Sequence, residues 1–134
     1  MAFFSSIAST KRPMICLLTE PYVTTEDKLS PALTGIQSIH GRQRSPRAII
    51  VATKSIHLWQ IPRFCNRDMA VAMWETGDPK MPQMVIACIY MPYEEAILEN
   101  MTLRDLIRYC NNRMLPMVLS GDTNAHRGCM GMPY

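Results

Sequence analysis

The run Gln83-Met-Val-Ile-Ala-Cys-Ile-Tyr90-Met-Pro92, followed by Leu103-Arg-Asp-Leu-Ile-Arg-Tyr-Cys110 and then Pro116-Met-Val-Leu-Ser120-Gly-Asp122, decides the fold. The first piece is a continuous apolar stretch, Gln83–Met91, closed by proline, which reads as a buried strand. In the second, Leu103, Leu106, Ile107 and Cys110 recur at helical spacing, and Arg104 and Arg108 point to the other face. Thr102 with Asp105 resembles a capping box using the shorter acid, and Asn111-Asn112 is expected to end the helix. The third piece, Pro116–Ser120, is a short strand opening into Gly121-Asp122.

Working outward, Met69–Glu75 is a strand joined to Gln83–Met91 through Gly77-Asp78-Pro79, so the pair should form a β-hairpin with a longer loop. Met14–Leu18 and Arg47–Thr53 are further strands, the first ended by Glu20-Pro21. Residues 22–46 are polar, with Pro31, Gly35, Gly41 and Pro46, and read as a long loop holding at most one helical turn. Strands, a hairpin, then one helix feeding a last strand make an α+β pattern with mixed sheet pairing.

The chain has 134 residues, 48% hydrophobic and 19% charged, which excludes a disordered or fibrous chain and fits one domain over residues 1–134. No apolar run approaches the ~18 residues of a membrane span, and the opening Met1-Ala2-Phe3-Phe4 is too short for a secretory signal. An intracellular protein is the expectation. Cys16, Cys65, Cys88, Cys110 and Cys129 form no Cys-x-x-Cys pair, and His40, His57 and His126 form no close histidine pair, so no zinc site is expected. The odd cysteine count argues for reduced thiols, mostly in the core. Residues 1–67 carry nine Lys/Arg and three Asp/Glu, whereas residues 68–134 carry five and eight. The densest basic stretch, His40–Arg47, reads either as a solvated loop or as a contact for a phosphate backbone.

Three places put polar groups at or just after the ends of apolar strands. Glu20 ends Leu17-Leu-Thr-Glu20, Tyr90 precedes Pro92, and Val118-Leu-Ser-Gly-Asp122-Thr-Asn124-Ala-His126 offers a carboxylate, an amide and an imidazole at alternating positions. In an extended segment, residues 122, 124 and 126 face one side. Two carboxylates delivered by strand ends are suited to Mg²⁺.

Taken in order, these segments resemble the endonuclease/exonuclease/phosphatase family, the fold of DNase I-like nucleases, and within it the endonuclease domain of non-LTR retrotransposons. The resemblance rests on Thr19-Glu20-Pro21-Tyr22-Val23, Pro46-Arg-Ala-Ile-Ile-Val51, Arg67-Asp-Met-Ala-Val71, Tyr90-Met-Pro92, the Leu103–Cys110 helix and Asp122–His126. It implies a partial four-layer α/β sandwich, roughly the N-terminal half of a DNase I-like domain. It also implies divalent-metal-dependent hydrolysis of DNA, with Mg²⁺ or Mn²⁺ as cofactor. By resemblance, Glu20 and Asp122 are metal ligands, and Asp122 also orients or deprotonates the attacking water. Asn124 holds the phosphate or the metal shell, and Tyr90 donates to a phosphate oxygen. His126 lies beside the motif as a further candidate catalytic residue, against a plain reading as a turn residue bonded to backbone. Localisation would be nuclear if the chain is part of a retrotransposon polyprotein.

The sequence departs from the family pattern in three ways. Thr19 stands where glutamine is usual, residues 1–13 contain no asparagine for the metal shell, and no Ser-Asp-His ending supplies the general acid/base pair. The alternative from another class is therefore a catalytically silent nucleic-acid-binding or interaction module that keeps the basic stretch at 40–47.

Overall fold

Strand β3, Ala48–Thr53, is apolar almost throughout because neither of its faces meets water: all six residues are buried. It runs between β1 (Ile15–Thr19) and β2 (Ile36–Ile39), antiparallel to both. The computed structural model describes residues 12–19, 35–42, 45–91 and 100–122, with Asp122 described by its backbone alone. Strand β2 corrects the reading of 22–46 as loop. Ile36 and Ile39 are buried at its ends, and between them Gln37 sends its side-chain amide to the carbonyls of Thr53 and Ile56 at 3.1 and 2.8 Å.

The second sheet has the order β4 (His57–Gln60), β5 (Met69–Glu75), β6 (Gln83–Tyr90), β7 (Met117–Asp122). The expected β5–β6 hairpin forms, antiparallel from Glu75 opposite Gln83 to Met69 opposite Ile89. Its loop folds on local bonds, with the Asp78 amide donating to Thr76 Oγ1 and the Lys80 amide to Asp78 Oδ1. Strand β4, unread in the sequence, is a four-residue edge strand beside β5. Helix α1 (Met101–Arg113) carries the chain across so that β7 pairs with β6 in parallel, giving the mixed pairing expected.

The two faces of this sheet are built from different residues. Ala70, Ala72, Ile86 and Cys88 meet the first sheet, packing with Ile39, Ala48 and Ile50. Met69, Val71, Met73, Val85, Ala87 and Ile89 meet Leu103, Leu106 and Cys110 of α1 together with Phe64. Period-2 alternation on β5 and β6 thus feeds two cores, which is why both strands read as unbroken apolar runs. Among the described residues the layers are sheet, sheet and helix, and the fourth layer of the expected sandwich is not among them.

The start of α1 differs from its expected cap. Asn100 is the cap, its side-chain oxygen accepting from the Leu103 amide at 2.8 Å, and Thr102 sits inside the first turn. Asparagine is a stronger cap than threonine, and an aspartate at 105 is too short to close a box. At the other end, Asn111 and Asn112 remain helical, and Met114 terminates the helix in the left-handed conformation at φ 53°.

Strand β7 is thinly covered. Val118 and Leu119 are 43% and 41% exposed although their side chains alternate, and β6 is its strand partner among the described residues. Near its end Gly121 has φ +149°, and a Cβ there would stand 1.8 Å from the Ile89 carbonyl oxygen. Glycine alone permits this close approach of β7 to β6 just before Asp122.

Candidate active site

The C-terminal ends of three strands meet at one edge. Tyr90 at the end of β6 is in register with Asp122 at the end of β7. Strand β1 packs across β6 and β7, and its Leu18 carbonyl accepts from Cys88 Sγ at 3.4 Å, two residues before Tyr90. Thr19, the last residue of β1, pairs with Ala48 at the start of β3. The starts of β3 and β5 arrive at the same edge, bringing Arg47 and Asp68 with them.

Arg47 and Asp68 form a two-pronged ion pair, Nε to Oδ1 at 2.6 Å and an Nη to Oδ2 at 3.0 Å. Arg47 also lies over the Tyr90 ring, with its guanidinium carbon 4.9 Å from the centroid. Backbone bonds lock this arrangement: the Tyr90 amide donates to the Asp68 carbonyl at 2.8 Å, and the Arg47 amide to the Arg67 carbonyl at 2.7 Å. The Asp68 amide in turn donates to Asn66 Oδ1 at 2.8 Å. Both charged side chains are 31% exposed, and Tyr90 is buried. A parallel fork of charge-assisted bonds over an aromatic ring has a single low-energy geometry, so the Tyr90 ring is held from above and its strand from the side.

The residues beneath the edge are buried. Burial pushes the Cys88 thiol up to about 11, outweighing the lowering effect of hydrogen bonds with the Ile49 and Leu18 backbone. A thiol so raised is protonated at neutral pH and is no nucleophile. Cys16, Cys65 and Cys110 are likewise raised by burial, and these four described cysteines are free thiols, as expected from the sequence.

No protein-family model matches the sequence, and no curated protein matches it. Among solved structures, the chain superposes on the endonuclease domain of TRAS1, a telomere-specific non-LTR retrotransposon, with a TM-score of 0.62. The match covers 94% of this chain and 53% of that one, at 18% sequence identity. The chain has the fold of about half a retrotransposon endonuclease domain.

Within this endonuclease fold the expected site residues stand as follows. Tyr90 and the Asp122 backbone are brought side by side at adjacent strand ends. Glu20 directly follows Thr19, and it lies outside the described residues, as do Asn124 and His126. The described residues hold no group of three or more His, Cys, Asp or Glu able to bind a metal ion, and none of their buried side-chain N or O atoms lacks a partner. No described helix is long and apolar enough to cross a membrane.

Sequence reasoning noted Arg47 only as part of the basic stretch at 40–47 and did not single out Asp68, although the two stand in the Pro46–Val51 and Arg67–Val71 segments that carry the resemblance. The available signal was a charged residue immediately preceding each of two apolar strands. What pairs them is the sheet packing that sets the start of β3 beside the start of β5, which no local pattern encodes.

Proposed function

We propose that the strand-end edge is the catalytic edge of a divalent-metal-dependent endonuclease that hydrolyses phosphodiester bonds in DNA. The observation that carries this reading is the in-register placement of Tyr90 and Asp122 beside the end of β1, in a fold shared with a retrotransposon endonuclease domain.

Glu20 and Asp122 would supply the hard carboxylate oxygens that Mg²⁺ or Mn²⁺ takes. Such a cation, when bound, stabilises the negative charge that develops on phosphate oxygens. The edge suits a cation in one further respect: Asp68 engages the Arg47 guanidinium at 2.6 Å, so this positive charge at the edge is already paired. In this reading Asp122 orients and deprotonates the attacking water. Asn124 holds the scissile phosphate through its amide, and the Tyr90 phenol donates to a phosphate oxygen as charge builds. Arg47 and Asp68 act at one remove, fixing the Tyr90 ring. His126 is the remaining candidate, placed by its spacing from Asp122.

Nicking of supercoiled plasmid with Mg²⁺ tests the reading. Asp122→Ala should reduce nicking by at least ~10²-fold, the lower range for loss of a positioned base, and chelation should abolish it. Equal nicking by wild type and Asp122→Ala would overturn it.

The second reading is a nucleic-acid-binding module without hydrolysis. It is supported by the basic stretch at 40–47, which carries Arg42 and Arg44 in addition to the Asp68-paired Arg47 and suits a phosphate backbone. Binding of DNA with no Mg²⁺-dependent nicking would select it.

A further inference from the structure

The outer surface of α1 carries a second concentration of arginine that the strand-end edge does not use. A depression of about 300 Å³ is lined by Arg63, Asp105, Arg108, Tyr109, Asn112 and Arg113. It shares no residue with the Arg47–Asp68–Tyr90 cluster. Leu103, Leu106 and Cys110 turn the opposite face of the helix into the core.

The Tyr109 ring organises the depression. It packs edge-on to the buried Phe64 ring, centroids 5.2 Å apart, which anchors it to the body of the protein. Arg113 stacks on it at 4.0 Å from its centroid, and Arg63 lies 5.7 Å from the same centroid and 4.6 Å from that of Phe64. Neither Arg63 nor Arg113 forms an ion pair among the described residues. The one carboxylate in the lining, Asp105, faces Arg108 at 3.7 Å with both side chains largely exposed, a contact too long and too wet to consume that charge. Arg113 gains a little from its place in the last helical turn. Helix electrostatics do not account for Arg63, which comes from the short turn Pro62–Phe64.

Stacking of this kind restricts a guanidinium while leaving its N–H edge free, so less rotamer freedom is lost when it binds an anion. Three arginines with one carboxylate also give the depression a net positive charge.

We propose that Arg63, Arg108 and Arg113, gathered around Tyr109, form a contact for the phosphodiester backbone of DNA, separate from the cleaving edge. The choice of DNA rests on the nucleic-acid reading of the fold. The site itself rests on the arginine geometry, and it would anchor the duplex without regard to sequence.

The test measures DNA binding apart from cleavage. Fluorescence anisotropy with a short duplex, in EDTA and over a salt series, compares the whole chain with Arg63→Gln/Arg113→Gln, Asp105→Asn and Lys80→Gln. Each phosphate contact contributes close to one unit to the slope of log K against log salt, so the double variant should flatten that slope by about two. Asp105→Asn should tighten binding, and Lys80→Gln, an exposed charge in the β5–β6 loop, should leave the slope as in wild type. Circular dichroism confirms folding, and Arg113→Lys, which keeps the charge, should retain the slope if the double variant proves unstable. An unchanged slope in the folded double variant overturns the proposal, as does equal competition by polyglutamate and DNA at matched charge. Failure of the plasmid assay with an intact slope effect would dismiss cleavage and leave this site standing.

Discussion

Two tyrosines in this molecule carry arginine on their rings, to opposite electrical effect. At the strand ends, Arg47 lies 4.9 Å from the Tyr90 centroid and is neutralised by Asp68 at 2.6 Å. On the helix, Arg113 lies 4.0 Å from the Tyr109 centroid with no carboxylate paired to it among the described residues. The same stacked contact therefore immobilises a ring in one place and presents a cation in the other. A nearby carboxylate, more than the stacking, decides whether such an arginine positions or attracts.

The strongest way to break the comparison is to remove the strand end that brings Asp122 beside Tyr90. Gly121→Ala places a methyl group 1.8 Å from the Ile89 carbonyl oxygen, so β7 must shift off β6. A loss of at least about 3 kcal/mol is expected in urea denaturation, on the scale of strain at a special backbone site. Unchanged stability would mean the close approach is absent.

Next in size is conversion of the first arginine setting into the second. Asp68→Ala removes the carboxylate that forks with Arg47 and should cost about 2 kcal/mol, short of the full penalty of a broken buried pair because each side chain is 31% exposed. Arg113→Ala, by contrast, should cost less than about 1 kcal/mol, since it removes an exposed stack and no ion pair. Equal losses from the two substitutions would erase the distinction drawn here.

The last effect shows only in alkali and concerns the interior beneath the edge. Cys88 is held at about 11 against an ordinary thiol value of 9.0, so the unfolded chain releases this proton first as pH rises. Its contribution is fully present below pH 9 and is lost progressively up to about pH 11, amounting to roughly 3 kcal/mol. Chemical denaturation of wild type and Cys88→Ala at pH 8 and 10.5 measures it. The difference in stability between the two pH values should shrink in the variant.

Much of this architecture was legible in the sequence. Met69–Glu75 is recovered residue for residue, and β1, β3 and β6 fall within one residue at each end, because continuous apolar runs between turn residues leave few alternatives. Strand β7 runs to Asp122, two residues beyond the strand read in the sequence, because Gly121 can still pair with β6. Ile36–Ile39 and His57–Gln60 escaped notice because each is four residues long with polar positions inside, so their pairing comes from the neighbouring strand. Of the candidate site, Tyr90 and Asp122 could be found from their places at strand ends. The Arg47–Asp68 fork could not, since it joins residues on separate sheets and exists only after the sheets stack.

The parallel pairing of β6 with β7 also sets an order of assembly. Strands β5 and β6 meet across the loop 76–82, whereas Val85 can find Met117 only after the whole of α1 has crossed the sheet. Closure of a short loop costs less entropy and rewards the chain sooner, so the hairpin belongs to the folding nucleus and β7 joins late. The edge that gathers Tyr90 and Asp122 is thus expected to form after the hairpin, so its strength should govern how slowly the native state opens more than how fast it is reached.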